Sequence, residues 1–359
     1  MVLALQQRLE ARYYLPVPVW LNTPTSKFWG PLNISMMFGQ AVHRFAQVLA
    51  HGKPDVILDC SGYQYGDPWV AMAKVLSLRM LMYQFFRGRG GKIVMLPQSL
   101  GPFRERQIAS VAAGILQLAD LVFTRDAVSR QHAIDLGCPP SRIRIAPDYS
   151  NVVLPQMPDN PDEWSSRVCI VPSTRMVDKT LPNVGTVYMA ALRKCINSIW
   201  NQGFEPCILV HQREDRSLAE ALRKSISRRV MLVDPPPLQA KGILASCRAV
   251  VGSRYHALVG ALSQGKPTLG TGWTHKYQAL FRDYSCEECL VERFDSETEL
   301  EDRLHLITKG ASRDRLVDTL QAGARAHRTR SLAMFTELER VLAGEPPLDA
   351  SSTHTADKA

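Results

Sequence analysis

The sequence predicts an α/β protein made of two doubly wound domains that face each other across a cleft. Three observations carry this. Short apolar runs alternate with longer helical patterns over most of the chain, the signature of parallel strands covered by helices. The stretch Leu154-Pro155-Gln156-Met157-Pro158-Asp159-Asn160-Pro161 interrupts the alternation, and each side carries its own strand–helix series. Nearly every apolar run ends in small or ionisable residues, and in open parallel sheets ligands bind beyond those carboxyl ends.

The chain has 359 residues, 45% of them hydrophobic and 21% charged, enough for two domains of ordinary size. The expected division is a first domain over 1–154, a linker over 155–162, a second domain over 163–345 and a polar, disordered tail over 346–359. The first domain opens on an amphipathic helical pattern, Val2 to Leu9, with no strand before it, so it is expected to lack its first strand. That opening has neither the basic start nor the long apolar core of a secretory signal. No run is long and apolar enough to span a membrane. The expectation is a cytoplasmic protein. Its formal charge of +9 favours an anionic substrate and permits association with the inner face of a membrane. The charges are spread out, and the densest run, Arg223-Lys224 with Arg228-Arg229, reads as a solvated face. No nucleic-acid motif with interleaved aromatics is present.

Strands are expected at 55–59, 92–96, 121–124, 142–146, 167–171, 207–210, 230–233, 249–251 and 268–269. Helices are expected at 40–50, 70–86, 107–118, 128–136, 187–200, 218–225, 238–246, 257–262 and 299–308. The first strand is followed by Cys60, Ser61, Gly62 and Tyr63, and the second by Pro97-Gln98-Ser99-Leu100-Gly101-Pro102, a rigid turn. The third leads into Arg125-Asp126 and the fourth into Pro147-Asp148. In the second series come Ser173, Thr174 and Arg175, then the run His211 to Asp215, then Ser253, Arg254 and His256, then Thr271 to Lys276. Taken singly, Arg125-Asp126 reads as a local ion pair or helix cap, Asp148 as a turn cap and His211 as a structural histidine. Repetition of the pattern is what turns the strand ends into a site.

The sharpest of these is Val250-Val251-Gly252-Ser253-Arg254-Tyr255-His256. An apolar strand runs through a Gly-Ser turn into a helix, whose free N–H groups and dipole favour an anion. Arg254 adds a forked donor suited to phosphate or carboxylate. His256 adds a group that exchanges a proton near neutrality. Eight cysteines include several in apolar strand runs, such as Cys169 and Cys207, which read as buried reduced thiols. Cys286-Glu287-Glu288-Cys289 has half the spacing of a zinc knuckle and no second pair, so no metal and no cofactor is expected.

The order of motifs resembles the polysaccharide pyruvyl transferase family. The matching elements are Gly91 to Pro102, Phe123-Thr124-Arg125-Asp126 with Ser129, Ala146-Pro147-Asp148, Ser253-Arg254-Tyr255-His256 with Ala261 and Gly265-Lys266-Pro267, and Lys276. The resemblance implies two Rossmann-like domains in a GT-B-like arrangement, acceptor side first and donor side second. It implies transfer of a pyruvyl group from phosphoenolpyruvate to a sugar of a cell-surface or exopolysaccharide precursor, usually as a cyclic ketal; the sugar acceptor can be lipid-linked. On that reading Arg254 and Lys276, with Arg175, bind the donor, and His256 is the general acid. Asp148 or Asp126 accepts a proton from the sugar, while Ser253, Arg125, His211 and Gln98 line the substrate. The family's opening strand and Asn-x-Gly-Asp type turn are missing from the chain as it stands. Two alternatives share the architecture: a nucleotide-sugar-dependent glycosyltransferase or epimerase, and a degenerate sugar-binding member without activity.

Overall fold

A computed structural model describes residues 56–180, 182–272, 274–291 and 297–345. The expected helix at 40–50, the question of a missing first strand and the tail from 346 lie outside these. The chain divides into two compact units, one comprising residues up to Tyr149 and from Leu332 onward, the other Ser150–Ser331.

Among its described residues the first unit holds a four-stranded parallel sheet in the order β1-β2-β3-β4. Its strands are β1 (Val56–Asp59), β2 (Lys92–Gln98), β3 (Leu121–Thr124) and β4 (Ile143–Ile145), connected by α1 (Ala73–Arg87), α2 (Arg106–Leu118) and α3 (Ala127–Asp135). Register runs Val56 with Lys92, Val94 with Leu121 and Val122 with Ile143. Ile93 and Met95 point to one face and pack with Leu76 and Phe86 of α1 and Ile108, Ile115 and Leu116 of α2. The apolar spacing of α2 at 108, 111, 112, 115 and 116 is the stripe that face requires.

The second unit is a six-stranded parallel sheet in the order β10-β9-β8-β5-β6-β7. It comprises β5 (Arg167–Val171), α4 (Arg175–Asp178), α5 (Pro182–Asn201), β6 (Glu205–Leu209), α6 (Arg216–Lys224), β7 (Met231–Val233), α7 (Pro237–Ser246), β8 (Ala249–Gly252), α8 (Tyr255–Leu262), β9 (Thr268–Thr271), α9 (His275–Asp283), β10 (Leu290–Val291), α10 (Glu297–Thr308) and α11 (Gly310–Leu342). Both faces are covered, which is why its strands read as continuous apolar runs. Val168 and Ile170 face a cluster with Ile196, Leu258 and Phe281. Cys169 and Val171 face the opposite cluster with Ile243, Leu244 and Ala261.

Two expectations about organisation differ from this. The division falls after Tyr149 instead of 154, and α11 carries the chain back, so Leu332–Leu342 belongs to the first unit. There Arg144 Nε pairs with Glu337 at 3.0 Å and Phe335 packs edge-on to Tyr149. The proline-rich stretch is docked on its own unit. Gln156 N donates to Leu238 O at 3.1 Å, and a Cβ on Gly242 would stand 1.9 Å from Gln156 O. Prolines hold the segment extended, and the missing side chain at 242 lets it lie against α7. Helices α4, α9 and α11 and the two-residue β10 were not expected.

Candidate functional site at the strand ends of the second unit

From β5 the chain builds β6 and β7 in one direction, then places β8, β9 and β10 on the other side of β5. Connections therefore part between β5 and β8, and the carboxyl ends of those strands flank a topological switch point, the place where open α/β sheets take ligands. Val171 ends level with Gly252, and Gly252 with Gly270. The loops that follow bring together six of the ten residues singled out from the sequence: Arg175, His211, Ser253, Arg254, His256 and Lys276.

Arg254 is the cap residue of α8, and its guanidinium is held by Asp215. Arg254 Nε donates to Asp215 Oδ2 and Nη2 to Oδ1, each at 2.5 Å. Thr174 completes the set: its N and Oγ1 donate to Asp215 Oδ1 at 2.9 and 3.1 Å, and its Oγ1 accepts from Arg254 Nη2 at 3.1 Å. Asp215 has 0% exposure and the Arg254 side chain 13%. In the sequence Arg254 reads as a forked cation for an anionic ligand. The structure shows its charge balanced by a buried carboxylate, and its Nη1 corner turned away from that carboxylate. Arg254 thus offers oriented donors more than net charge. Asp215 carries no motif; in the sequence it resembles a helix-start acid in the run after β6.

Arg175 opens α4, where it pairs with Asp178 and lies 3.8 Å from Glu214. Arg254 Nη2 lies 3.8 Å from the same Glu214 oxygen, so one carboxylate stands between the two arginines. His256, at the second position of α8, is exposed and meets the Tyr255 ring edge-on at 5.6 Å. Lys276, at the second position of α9, holds Nζ over the rings of Tyr255 at 5.0 Å and Tyr277 at 5.3 Å. Tyr255 therefore lies between the histidine and the lysine, at the adjacent starts of two helices.

Ser253 serves the scaffold. It is buried, accepts from Tyr188 Oη at 2.9 Å, shares a 2.5 Å hydrogen bond with Thr271 Oγ1, and its carbonyl accepts from Tyr277 Oη at 3.1 Å. Gly272 makes room for that tyrosine, since a Cβ there would stand 2.0 Å from its ring. His211 follows β6 beside Arg254 and His256. Burial foremost, then the neighbouring His256 and Arg254, push its pKa down to about 4, so it is neutral at physiological pH.

The other four residues belong to the first unit. Arg125 and Asp148 form an ion pair at 2.5 Å with side-chain exposures of 4% and 3%. Asp126 caps α3: its Oδ1 accepts from Ser129 N at 2.7 Å and its Oδ2 from Ser129 Oγ at 2.9 Å. The cap reading describes Asp126, but the ion pair is not the local one expected: Arg125 pairs across strands with Asp148, which was expected only to cap a turn. Gln98 ends β2 fully buried, with its carbonyl accepting from Arg125 N at 3.1 Å. Beside them lies a network the sequence did not announce. Asp59 accepts from Ser61 N, Tyr65 Oη and Tyr83 Oη, while Arg79 donates to Ser61 Oγ and Tyr65 Oη. Among the described residues, no helix is long and apolar enough to cross a membrane.

Comparison with known proteins agrees on fold and family. The family model described as polysaccharide pyruvyl transferase matches residues 1–275. The amylovoran biosynthesis protein AmsJ of Erwinia amylovora is 20% identical over 218 residues, 55% of this chain and 52% of that protein. The chain thus spans about half the length of this curated relative. Among solved structures, a Listeria monocytogenes protein assigned as a UDP-N-acetylglucosamine 2-epimerase superposes with a TM-score of 0.59 at 13% identity, covering 88% of this chain and 81% of its own. The S. aureus MnaA protein solved with UDP gives 0.56 at 14% identity, covering 87% and 81%. HepE of Anabaena, in complex with UDP and glucose, gives 0.53 at 13% identity, covering 86% and 83%. Such identities establish a GT-B-type α/β fold and leave the substrate to the site itself.

Proposed function

Since the chain belongs to the polysaccharide pyruvyl transferase family, we propose that it transfers the pyruvyl group of phosphoenolpyruvate to a sugar of a cell-surface polysaccharide precursor, closing a cyclic ketal. The observation that carries this reading is the grouping of Arg254, His256 and Lys276 at the β5/β8 switch point. A donor with a phosphate and a carboxylate is met there by the amide groups of two helix starts, the lysine ammonium and the outer corner of an arginine held by Asp215. Arg175, on the far side of Glu214, flanks the same ground.

His256 gives its proton to the methylene carbon of the donor, and the double-bond pair becomes the new C–H bond. The positive charge left on the adjacent carbon is shared with its oxygen. A sugar hydroxyl adds to that carbon and loses its proton. The carbon–oxygen bond to phosphate then breaks, its electron pair leaving with inorganic phosphate, and a second hydroxyl closes the ketal and loses its proton. One hydroxyl proton restores His256 and the other leaves with phosphate or solvent. Neutral His211, which feels the charge of His256 and Arg254, hydrogen-bonds the donor in this reading without adding charge. In this reading Arg125, Asp126, Asp148 and Gln98 shape the strand ends of the first unit, where the acceptor sugar binds. The protein acts at the cytoplasmic side, with lipid-linked sugars among its candidate acceptors.

The test is incubation with phosphoenolpyruvate and a panel of lipid-linked and nucleotide sugars, following phosphate release and acceptor mass. We expect phosphate release to require both substrates. His256→Ala should lose about 10²-fold or more of the rate while unfolding at the wild-type midpoint. Near-normal turnover by that variant removes His256 from the mechanism. Turnover of a UDP- or GDP-sugar without phosphoenolpyruvate would replace this reading with the nucleotide-sugar alternative. Absence of turnover with every pair, combined with a thermal shift by sugars alone, would favour a binding protein.

A further inference from the structure

Three cysteines that are far apart in sequence meet inside the second unit. Cys169 lies on β5, Cys207 opposite it on β6, and Cys247 directly after α7. Their Sγ atoms all lie within 4.8 Å of one another and all three residues are fully buried. The cluster sits among Val171, Leu209, Ile243, Leu244 and Val250, on the sheet face opposite the larger core. Among the described residues, no fourth cysteine, histidine or carboxylate joins the group.

From this geometry we propose that Cys169, Cys207 and Cys247 form an all-thiolate site for one soft divalent cation, Zn(II) or a thiophilic homologue. Three sulfurs around an ion at the usual Zn–S distance of about 2.3 Å stand roughly 4 Å apart, close to the arrangement already present. Sulfur-only donors in an apolar shell select a soft ion and exclude Mg(II) or Ca(II), which demand oxygen. Loading breaks three S–H bonds, forms three metal–sulfur bonds and releases three protons. The loaded group carries a net charge of −1, two from the ion against three from the thiolates. Arg167 faces Cys207 and Lys266 faces Cys247, and both favour thiolate. Such a site ties β5, β6 and the entry to β8 together beneath the strand ends that carry Thr174, His211 and Ser253, and it loads as the unit folds.

The test uses the full chain, purified from zinc-supplemented cells and also refolded with Zn(II) or Cd(II). The expected result is one ion per chain, sulfur-to-metal charge transfer with Cd(II), and three sulfurs at about 2.3 Å by zinc-edge absorption. Cys247→Ser should lower occupancy at least tenfold and take the sulfur count below three, whereas Cys195→Ala and the pair Cys286→Ser with Cys289→Ser should leave both unchanged. Folded wild-type protein with no bound ion by either route would overturn the proposal. So would metal uptake that survives Cys247→Ser and disappears with Cys286→Ser. If Cys247→Ser fails to fold, Cys247→Ala read by the same absorption experiment decides.

Discussion

Asp215→Asn removes the charge that orients Arg254 while keeping the side chain's shape. In the wild type two 2.5 Å hydrogen bonds join the carboxylate to the guanidinium, and Thr174 supplies two more. The asparagine oxygen can still accept from Thr174 N, but its amide turns donors toward a donor-only guanidinium. Breaking a buried ion pair by losing one partner costs about 3–5 kcal/mol, and the 13% exposure of Arg254 reduces this to about 2–4 kcal/mol. For a unit of the length of Ser150–Ser331 that lowers Tm by about 5–15 °C. The assay is chemical unfolding of wild type, Asp215→Asn, Arg254→Gln and the double variant. We expect a coupling energy of about 2 kcal/mol, because each single change strands the other group. In turnover assays Asp215→Asn should raise the donor KM more than it lowers kcat, since it disorders the binding fork and leaves His256 in place. Additive single effects, or an Asp215→Asn protein with wild-type Tm and donor KM, would refute the view that Asp215 holds Arg254.

Two further outcomes follow from buried charge. His211 carries a depressed pKa, about 4 against an ordinary 6.5, so the folded protein keeps it neutral. Its contribution is fully present above pH 6.5 and is lost as pH falls through 4, because the unfolded chain binds the proton first; the loss is about 1–3 kcal/mol. His211→Gln should flatten unfolding free energy over that window, and an unchanged slope would exclude the burial argument. Asp148→Asn leaves Arg125 nearly enclosed without its partner, with an expected cost of about 3–5 kcal/mol in denaturant unfolding. Arg125→Met with Asp148→Leu should recover most of it; a double variant as unstable as the single would show that the ion pair itself is required.

Strand positions were legible because both sheet faces are covered: Leu121–Thr124 and Arg167–Val171 announce themselves as uninterrupted apolar runs between polar turns. Placement of Arg254, His256 and Lys276 at one edge followed from strand ends alone, since parallel register forces those loops to the same side. The pairing of Arg254 with Asp215 was not legible. It joins loops after β8 and β6, and nothing local distinguishes a carboxylate that forks an arginine from one that starts a helix. The cysteine triangle was hidden for the same reason: each thiol sits in an ordinary apolar run, and only the packing of α7 against β5 and β6 makes them neighbours. The packing of the proline-rich stretch was not legible, because prolines mark an extended backbone equally well whether it is solvated or, like Gln156, laid on a glycine. Helix α11 escaped because its buried stripe, with Leu316 and Leu320 at one end and Met334, Phe335, Leu338 and Val341 at the other, is interrupted midway by His327 and Ser331.

The return of α11 sets an order of assembly during synthesis. The second unit is one uninterrupted stretch, Ser150–Ser331, and all of its residues are made before Leu332–Leu342. The first unit takes its residues from both sides of that stretch, so it is closed only after the second unit's sequence has been made. Arg144 waits for Glu337, Tyr149 for Phe335 and Lys92 for the Val341 carbonyl. The usual vectorial sequence, amino-terminal domain first, is therefore inverted. A nascent chain halted before Leu332 would carry a second unit with all its residues and a first unit with an open seam, and it is that seam which chaperones and proteases would meet first.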